Sequence, residues 1–469
     1  MQPRRPSRKP GARRPDAGRP RPPAEAAARP STIPENALQS RAAAAALFEE
    51  VLRSGKSVDD CLARLVSGLD GRDLALVRAV TLVAFRRLGT IRHALRARMA
   101  QGFAAGGGRM EALLATAAAQ ILFMDVPDHS AVDCAVSLVG ESARDAHKRG
   151  FVNAVLRRIA REKDEIIADA EADPLRDLPP WLAARWTQHY GGAVAGAMAA
   201  AQRHEPTLDI SVRADPLLWA ERLGARLLPG GSLRLETHDA IDSLPGYAEG
   251  AWWVQDAAAA LPARLLGAKA GQRIADLCAA PGGKTLQLAA AGADVVALDR
   301  SAARMERLRR NLERTGLAAE IVVADATQWR GGPFDAVLVD APCSSTGTIR
   351  RHPDVAWTKT EADIPRLAAL QARLIDNAVA LTRPGGIILY CTCSLEQEEG
   401  EAQLDAALAR RGDIRLAPIK PAELGGEGPG LADALTARGE LRTRPDQMRH
   451  ESPRQSGWAG FYAMRLIKL

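Results

Sequence analysis

The chain has 469 residues, 46% hydrophobic and 25% charged, with six cysteines and a formal net charge of +7. That length predicts two or three domains with ample core. No apolar run approaches the roughly 20 residues that span a bilayer, and the basic, proline-rich N-terminus lacks the apolar stretch of a secretory signal; a cytoplasmic protein without membrane contact is expected.

Residues 1–35 read as a disordered basic tail. Residues 1–30 hold nine basic side chains against Asp16 and Glu25, and nine minus two equals the whole +7 excess. With proline interleaved, such a segment buries too little apolar surface to fold. It is either a non-specific phosphate-binding arm or a solubilising tail. Residues 36–165 carry apolar side chains at spacings of three and four, as at Leu47 and Val51 or Val77 and Val80. Glycine-rich residues 101–109 and Pro127 break the pattern, which predicts an all-α bundle. Residues 166–250 read as a small α/β connector, with a short helix near 181–190 and strands at 208–212 and 250–254.

Residues 251–469 alternate strand and helix. Apolar strands at 273–277, 294–299, 320–325, 334–340 and 386–390 predict a parallel sheet covered on both faces, a Rossmann-like α/β unit. Acids Asp276, Asp299, Asp325 and Asp340 stand at strand ends and are expected to line one rim. After the first strand comes Cys278-Ala279-Ala280-Pro281-Gly282-Gly283-Lys284. Its glycines let backbone pass close to a ligand, and the next helix offers free N–H groups. The dinucleotide spacing G-x-G-x-x-G is absent, and Gly283-Lys284-Thr285 matches a Walker loop only in part. Asp299, about 20 residues on, is placed to accept from ribose hydroxyls. Asp325 would address the adenine end. An adenosine ligand without pyrophosphate fits: S-adenosyl-L-methionine.

Four cysteines, Cys278, Cys343, Cys391 and Cys393, cluster at strand ends. In a reducing compartment these read as catalytic or metal-binding sooner than as disulfides. No Cys-x-x-Cys pair exists, and Cys391 with Cys393 supplies too few ligands for structural zinc, so no metal is expected. Asp340-Ala341-Pro342-Cys343 and Thr392-Cys393-Ser394 each place a thiol just past a strand, where such sheets form their ligand crevice. Covalent chemistry is the expectation. Cys61 and Cys134 fall in helical segments and read as packing residues.

These motifs resemble those of the RsmB (Sun) family of RNA cytosine-5 methyltransferases. Arg350-Arg351-His352-Pro353-Asp354 with Trp357 resembles the segment after the first cysteine motif, and Gln255-Asp256 the lead-in to the catalytic domain. The segment 150–158 is similar to the last helix of the NusB-like RNA-binding module. The resemblance covers residues 37–469. It implies that the Cys393 thiolate adds to carbon 6 of cytosine, so that carbon 5 can attack the methyl sulfonium. It implies that Cys343 assists release and that Asp340 hydrogen-bonds the base edge. The implied cofactor contacts are Cys278 to Lys284, Asp299, Arg304, Asp325 and Asp340, with Lys284 one cation able to activate Cys393. The implied partner is RNA, a cytidine of small-subunit (16S) ribosomal RNA that is flipped out or unpaired. Transfer RNA is the alternative substrate. A non-catalytic ribosome-assembly factor and an antitermination factor are alternatives of another class. The oligomeric state is left open by the sequence. Cys391 departs from the family's small residue and is not expected to be the nucleophile. Trp252 and Trp253 either stack RNA bases or pack in a core. Gly400 and Gly457-Trp458-Ala459-Gly460-Phe461 also depart from the family pattern, and neither is expected to touch the chemistry.

Overall fold

The computed structural model describes residues 34–65, 68–99, 108–237, 239–425 and 431–469. Nearly all of the basic tail and of the glycine-rich break at 101–109 lies outside the described residues. Helices Glu35–Ser54, Gly71–Arg86, Asp128–Gly140 and Arg149–Arg161 pack around Gly108–Phe123. That central helix is buried from Glu111 to Leu122 on every face. A helix apolar all round belongs inside a bundle. Asp70 starts Gly71–Arg86 by accepting the Asp73 N–H at 2.7 Å, satisfying one of the free donors of the first turn.

Helices Pro180–Tyr190 and Gly192–Gln202 follow. Leu178, Leu182, Trp186 and Met198 pack against Ile349, Ala356 and Leu395 of the C-terminal unit, not against the bundle core. The Trp186 indole donates to Glu396 at 3.1 Å, and Arg185 donates to Glu396 and Glu398, each at 2.6 Å. These two helices act as a strap. Beyond them β1 (Leu208–Val212), β2 (Arg226–Leu227), β3 (Leu233–Leu235) and β4 (Trp252–Val254) form an antiparallel sheet in the order β2-β3-β1-β4. Trp252 and Trp253 are both buried, and their indoles donate to Pro245 O and Gln255 Oε1, each at 2.8 Å. Core packing is therefore their role.

The remaining strands are β5 (Arg273–Leu277), β6 (Asp294–Asp299), β7 (Glu320–Val323), β8 (Phe334–Asp340), β9 (Thr382–Thr392), β10 (Ile414–Leu416), β11 (Leu441–Thr443) and β12 (Phe461–Lys468). They form an eight-stranded sheet ordered β10-β12-β9-β8-β5-β6-β7, with β11 paired to β12. The five strands β5 to β9 are parallel, as expected. The sheet is nevertheless mixed, because β12 runs antiparallel to its neighbours β9, β10 and β11 on the far side. Three-residue strands such as β10 and β11 leave too little periodicity to read. The chain leaves β5 towards β6 and β7, then returns to place β8 on the other flank. This reversal makes a topological switch point beside β5, where a ligand crevice forms.

The segment after Cys343 fastens the parts together. Asp354 accepts the Val58 N–H at 3.2 Å, the Trp357 indole donates to Phe85 O at 3.0 Å, and Arg86 donates to Arg350 O at 2.7 Å. Arg351 reaches the small sheet through Asp209 at 2.9 Å and Asp256 at 2.7 Å.

Gly347 and Gly460 meet back to back, with Gly460 N donating to Gly347 O at 2.8 Å. A Cβ on Gly347 would lie 1.9 Å from Gly460 O, and one on Gly460 would lie 2.7 Å from Gly347 Cα. Gly460→Ala should cost about 1–3 kcal/mol, as overpacking does. Urea unfolding checks this, and an unchanged midpoint would contradict the close approach.

Candidate active site

Strand β5 delivers the first element of the site. Cys278 takes a left-handed backbone (φ 66°), and Gly282 follows at φ 111° before helix Gly283–Ala290. A Cβ at Gly282 would meet Leu308 at 2.2 Å, so only glycine lets this turn pass. Ala279 N donates to Leu298 O at 2.9 Å and ties the turn to β6. Asp299, the last residue of β6, is buried and accepts Ser301 N at 2.9 Å. Arg304 bridges both pieces: it stands 3.5 Å from Asp299 and donates to Ala280 O. Burial pushes the Cys278 thiol up, which removes it as a nucleophile.

Two of the four acids, Asp299 and Asp340, end their strands as expected. Asp276 does not: it is wholly buried under the turn, accepting Thr285 Oγ1 at 2.6 Å. Desolvation pushes its carboxyl up to about 7, and its Oδ1 has no hydrogen-bond partner among the described residues. It is the penultimate residue on β5, one position short of the strand end, and Thr285 of the following helix covers it. Asp325 is exposed and two residues beyond the end of β7. Its Oδ1 accepts both N–H and Oγ1 of Thr327 at 2.8 Å, and that backbone N–H holds its carboxyl below the usual range.

Strands β8 and β9 run side by side with Asp340 opposite Cys391. The loops after them therefore emerge together. Cys343 Sγ lies 3.4 Å from Cys393 Sγ, and both thiols are free. Ser345 Oγ stands 3.6 Å from Cys393. The hydrogen bond between the two thiols holds Cys393 below its ordinary value against the opposing effect of burial. The same contact pushes Cys343 well up. Asp340 is held on both oxygens: Lys284 Nζ donates at 2.7 Å and the Cys391 thiol at 3.6 Å. Lys284 is almost wholly buried, and despite desolvation the Asp340 carboxylate raises its pKa. Cys391 is buried and its thiol pushed well up by desolvation, in keeping with a packing role.

One residue the sequence did not single out holds both loops. Glu399 is fully buried. Its carboxylate accepts Ser344 N at 2.9 Å, Gln371 Nε2 at 3.0 Å, Ser394 Oγ at 2.6 Å and also Ser344 Oγ. Its carbonyl accepts the Tyr390 hydroxyl at 2.8 Å. The only signal was an acidic pair, Glu398-Glu399, shortly after Cys393. The two glycine departures do reach the site. Gly460 backs onto Gly347, whose N–H donates to Cys393 O at 3.0 Å. A Cβ at Gly400 would lie 2.3 Å from Arg442, which donates to Ser394 O at 2.5 Å.

Residues 263–467 match the family model of the RsmB/F 16S rRNA methyltransferases, and residues 38–161 that of the NusB family. A ribosomal RNA small subunit methyltransferase B of Klebsiella pneumoniae (strain 342) is 33% identical over 427 residues, 86% of this chain and 97% of the relative. The chain belongs to the RsmB/F family of 16S rRNA methyltransferases. The crystal structure of PH0851 superposes with a TM-score of 0.71 at 23% identity, covering 93% of this chain and 99% of that one. A methyltransferase homolog protein from Pyrococcus horikoshii gives 0.51 at 27% identity, covering 62% and 95%.

As in other RsmB/F enzymes, the methyl donor is S-adenosyl-L-methionine. The residues present suit it. The turn after β5 carries Gly282 at positive φ, Asp299 ends β6, and Asp276 Oδ1 is without a hydrogen-bond partner among the described residues; these groups would hold an adenosine-bearing donor. Arg304, about half exposed, would share Asp299 with the ligand. Asp299→Ala should weaken S-adenosyl-L-methionine binding by about 1–3 kcal/mol, the scale of a charged hydrogen bond. Calorimetry on the folded variant measures it, and unchanged affinity would rule out the ribose contact.

Proposed function

We propose that this enzyme methylates carbon 5 of an unpaired cytidine in 16S ribosomal RNA through a covalent bond to Cys393. The observation that carries the reading is the 3.4 Å contact between Cys393 and Cys343, with the Asp340–Lys284 pair beside it. In the resting pair the Cys343 S–H donates and Cys393 carries the thiolate character a nucleophile needs. Cys393 adds to carbon 6, forming a carbon–sulfur bond and moving electron density to carbon 5. When bound, S-adenosyl-L-methionine would supply the electrophilic methyl group to carbon 5. Asp340 and Lys284, on the floor between the two loops, hold the base edge as charge develops there. Loss of the carbon 5 proton then breaks the carbon–sulfur bond and regenerates the thiolate.

Cys343 is the group placed to take that proton. The largest effect holding its pKa up is its hydrogen bond to Cys393. Once Cys393 is bonded to carbon that contact is gone; Cys343 gives its own proton to solvent and, as the thiolate, takes the carbon 5 proton as the carbon–sulfur bond breaks. Residues 36–165 form the RNA-binding bundle, 166–250 the connector, whose sheet also takes in β4 at 252–254, and the rest of 251–469 the methyltransferase unit. The strap helices join the second of these to the third.

Cys393→Ala should abolish both methyl transfer and covalent capture of RNA. Cys343→Ala should still attack and transfer, then stall before elimination. A protein–RNA adduct should therefore accumulate in Cys343→Ala and be absent from Cys393→Ala on denaturing gels with labelled 16S RNA. The reverse pattern would exchange the two roles, and activity retained in Cys393→Ala would remove the covalent route.

A further inference from the structure

Cys393 and Cys343 share a third neighbour, the hydroxyl of Ser345. Its Oγ lies 3.6 Å from Cys393 Sγ and 3.9 Å from Cys343 Sγ, within reach of a hydrogen bond to either sulfur. Among the described residues that hydroxyl has no other partner.

This is not where a serine in its position ordinarily puts its side chain. Ser345 precedes the one-turn helix Thr346–Thr348, and a serine there usually accepts a free N–H of the first turn. Here no such bond forms. The backbone is left-handed (φ 62°), a conformation that favours glycine. Two bonds onto the Ser345 carbonyl hold it there, from Thr348 N at 2.9 Å and Thr348 Oγ1 at 2.8 Å. Residues kept in sparsely populated backbone regions cluster at reaction centres.

The neighbouring hydroxyls are committed elsewhere. Ser344 and Ser394 are fully buried and donate to Glu399. Thr346 is fully buried and accepts Leu395 N at 3.0 Å. Thr348 gives its hydroxyl to Ser345 O. Of these side chains, that of Ser345 alone touches both thiols, and its residue is partly exposed.

The reaction needs an outlet for a proton. Methyl transfer from a sulfonium releases one proton per turnover, because carbon 5 exchanges hydrogen for methyl. In the route above it leaves as the proton that Cys343 loses before taking the one on carbon 5.

We propose that Ser345 is a catalytic residue that passes this proton from Cys343 to solvent. The proposal rests on the covalent reading above and adds the path of the proton. Before attack, the Ser345 O–H donates to the Cys393 thiolate and helps to hold its pKa down. Once the Cys393 sulfur is bonded to carbon 6, that hydroxyl is free to turn outward. Its Oγ then accepts the Cys343 proton while its own O–H proton passes to water. Cys343 is left as the thiolate and takes the carbon 5 proton. The electron pair of that carbon–hydrogen bond forms the double bond between carbons 5 and 6 as the carbon–sulfur bond breaks. Cys393 leaves as the thiolate, Cys343 is again a thiol, and one proton has gone to solvent.

Ser345→Gly removes the hydroxyl and suits the left-handed backbone, so it separates loss of the relay from loss of the turn. Enzyme, S-adenosyl-L-methionine and labelled 16S RNA are mixed for a single turnover, quenched in detergent at intervals and run on denaturing gels. In Ser345→Gly the protein–RNA adduct should decay at least about tenfold more slowly than in the unaltered enzyme. Imidazole added at constant pH should speed that decay in proportion to its concentration, and should leave the unaltered enzyme unchanged. Equal decay in the two proteins, or slow decay that imidazole does not speed, would overturn the relay and leave the covalent reading standing. Absence of any adduct from Ser345→Gly and Cys343→Ala alike would overturn both.

Discussion

The buried carboxylate of Glu399 is the contact on which the rest of the site depends. A carboxylate taken out of water is tolerated only where donors replace its hydration. Here the replacement comes from both cysteine loops at once, through Ser344 on one and Ser394 on the other, with Gln371 closing the shell from helix Asp363–Leu381. The loops follow neighbouring parallel strands, but strand pairing ends at Asp340 and Cys391. Beyond that register two backbone bonds cross between the loops, Ala341 N to Cys391 O at 2.9 Å and Gly347 N to Cys393 O at 3.0 Å, and Glu399 adds the side-chain constraint that ties Ser344 to Ser394. Leaving any of its donors unpaired costs about 1–3 kcal/mol, so the loops are held together more firmly than a surface contact would hold them.

The same economy runs outward. Residues that follow Cys343 are not spent on the reaction. Arg350, Arg351, Asp354 and Trp357 reach the C-terminal loop, the small sheet and the helical bundle in turn. A motif legible beside a nucleophile is therefore, in three dimensions, the fastening between a catalytic unit and its RNA-facing parts. The strap helices Pro180–Tyr190 and Gly192–Gln202 do this from the other side, through Trp186 and Arg185 onto Glu396. Displacement of the bundle would be felt within a few residues of both thiols.

Much of this was legible in the sequence, and the reasons are specific. Strands β5 to β9 announce themselves because parallel strands buried on both faces are unbroken apolar runs. The cofactor turn is legible because glycine at Gly282 answers a steric need, and the two thiols because cysteine at a strand end has few structural uses. What was not legible depends on partners remote in sequence. Glu399 looks like one of two ordinary acids until Ser344, 55 positions away, is seen to donate to it. Gly460 reads as a family departure until Gly347 is found against it. Asp276 reads as a rim acid because nothing in its own strand shows that Thr285 of the following helix will cover it. Trp252 and Trp253 carry no marker of burial in their own neighbourhood.

The central claim is that Glu399 keeps Cys343 in hydrogen-bond contact with Cys393 and so gives Cys393 its thiolate character. The pH dependence of Cys393 alkylation by iodoacetamide, followed by peptide mass spectrometry, tests it directly. In the unaltered enzyme the reactivity midpoint should lie below that of an ordinary thiol, about 8.5. In Glu399→Ala it should rise to or above that value, as in Cys343→Ala, in protein whose urea unfolding remains cooperative. A midpoint unmoved by Glu399→Ala, with Cys343→Ala shifting it alone, would contradict the account.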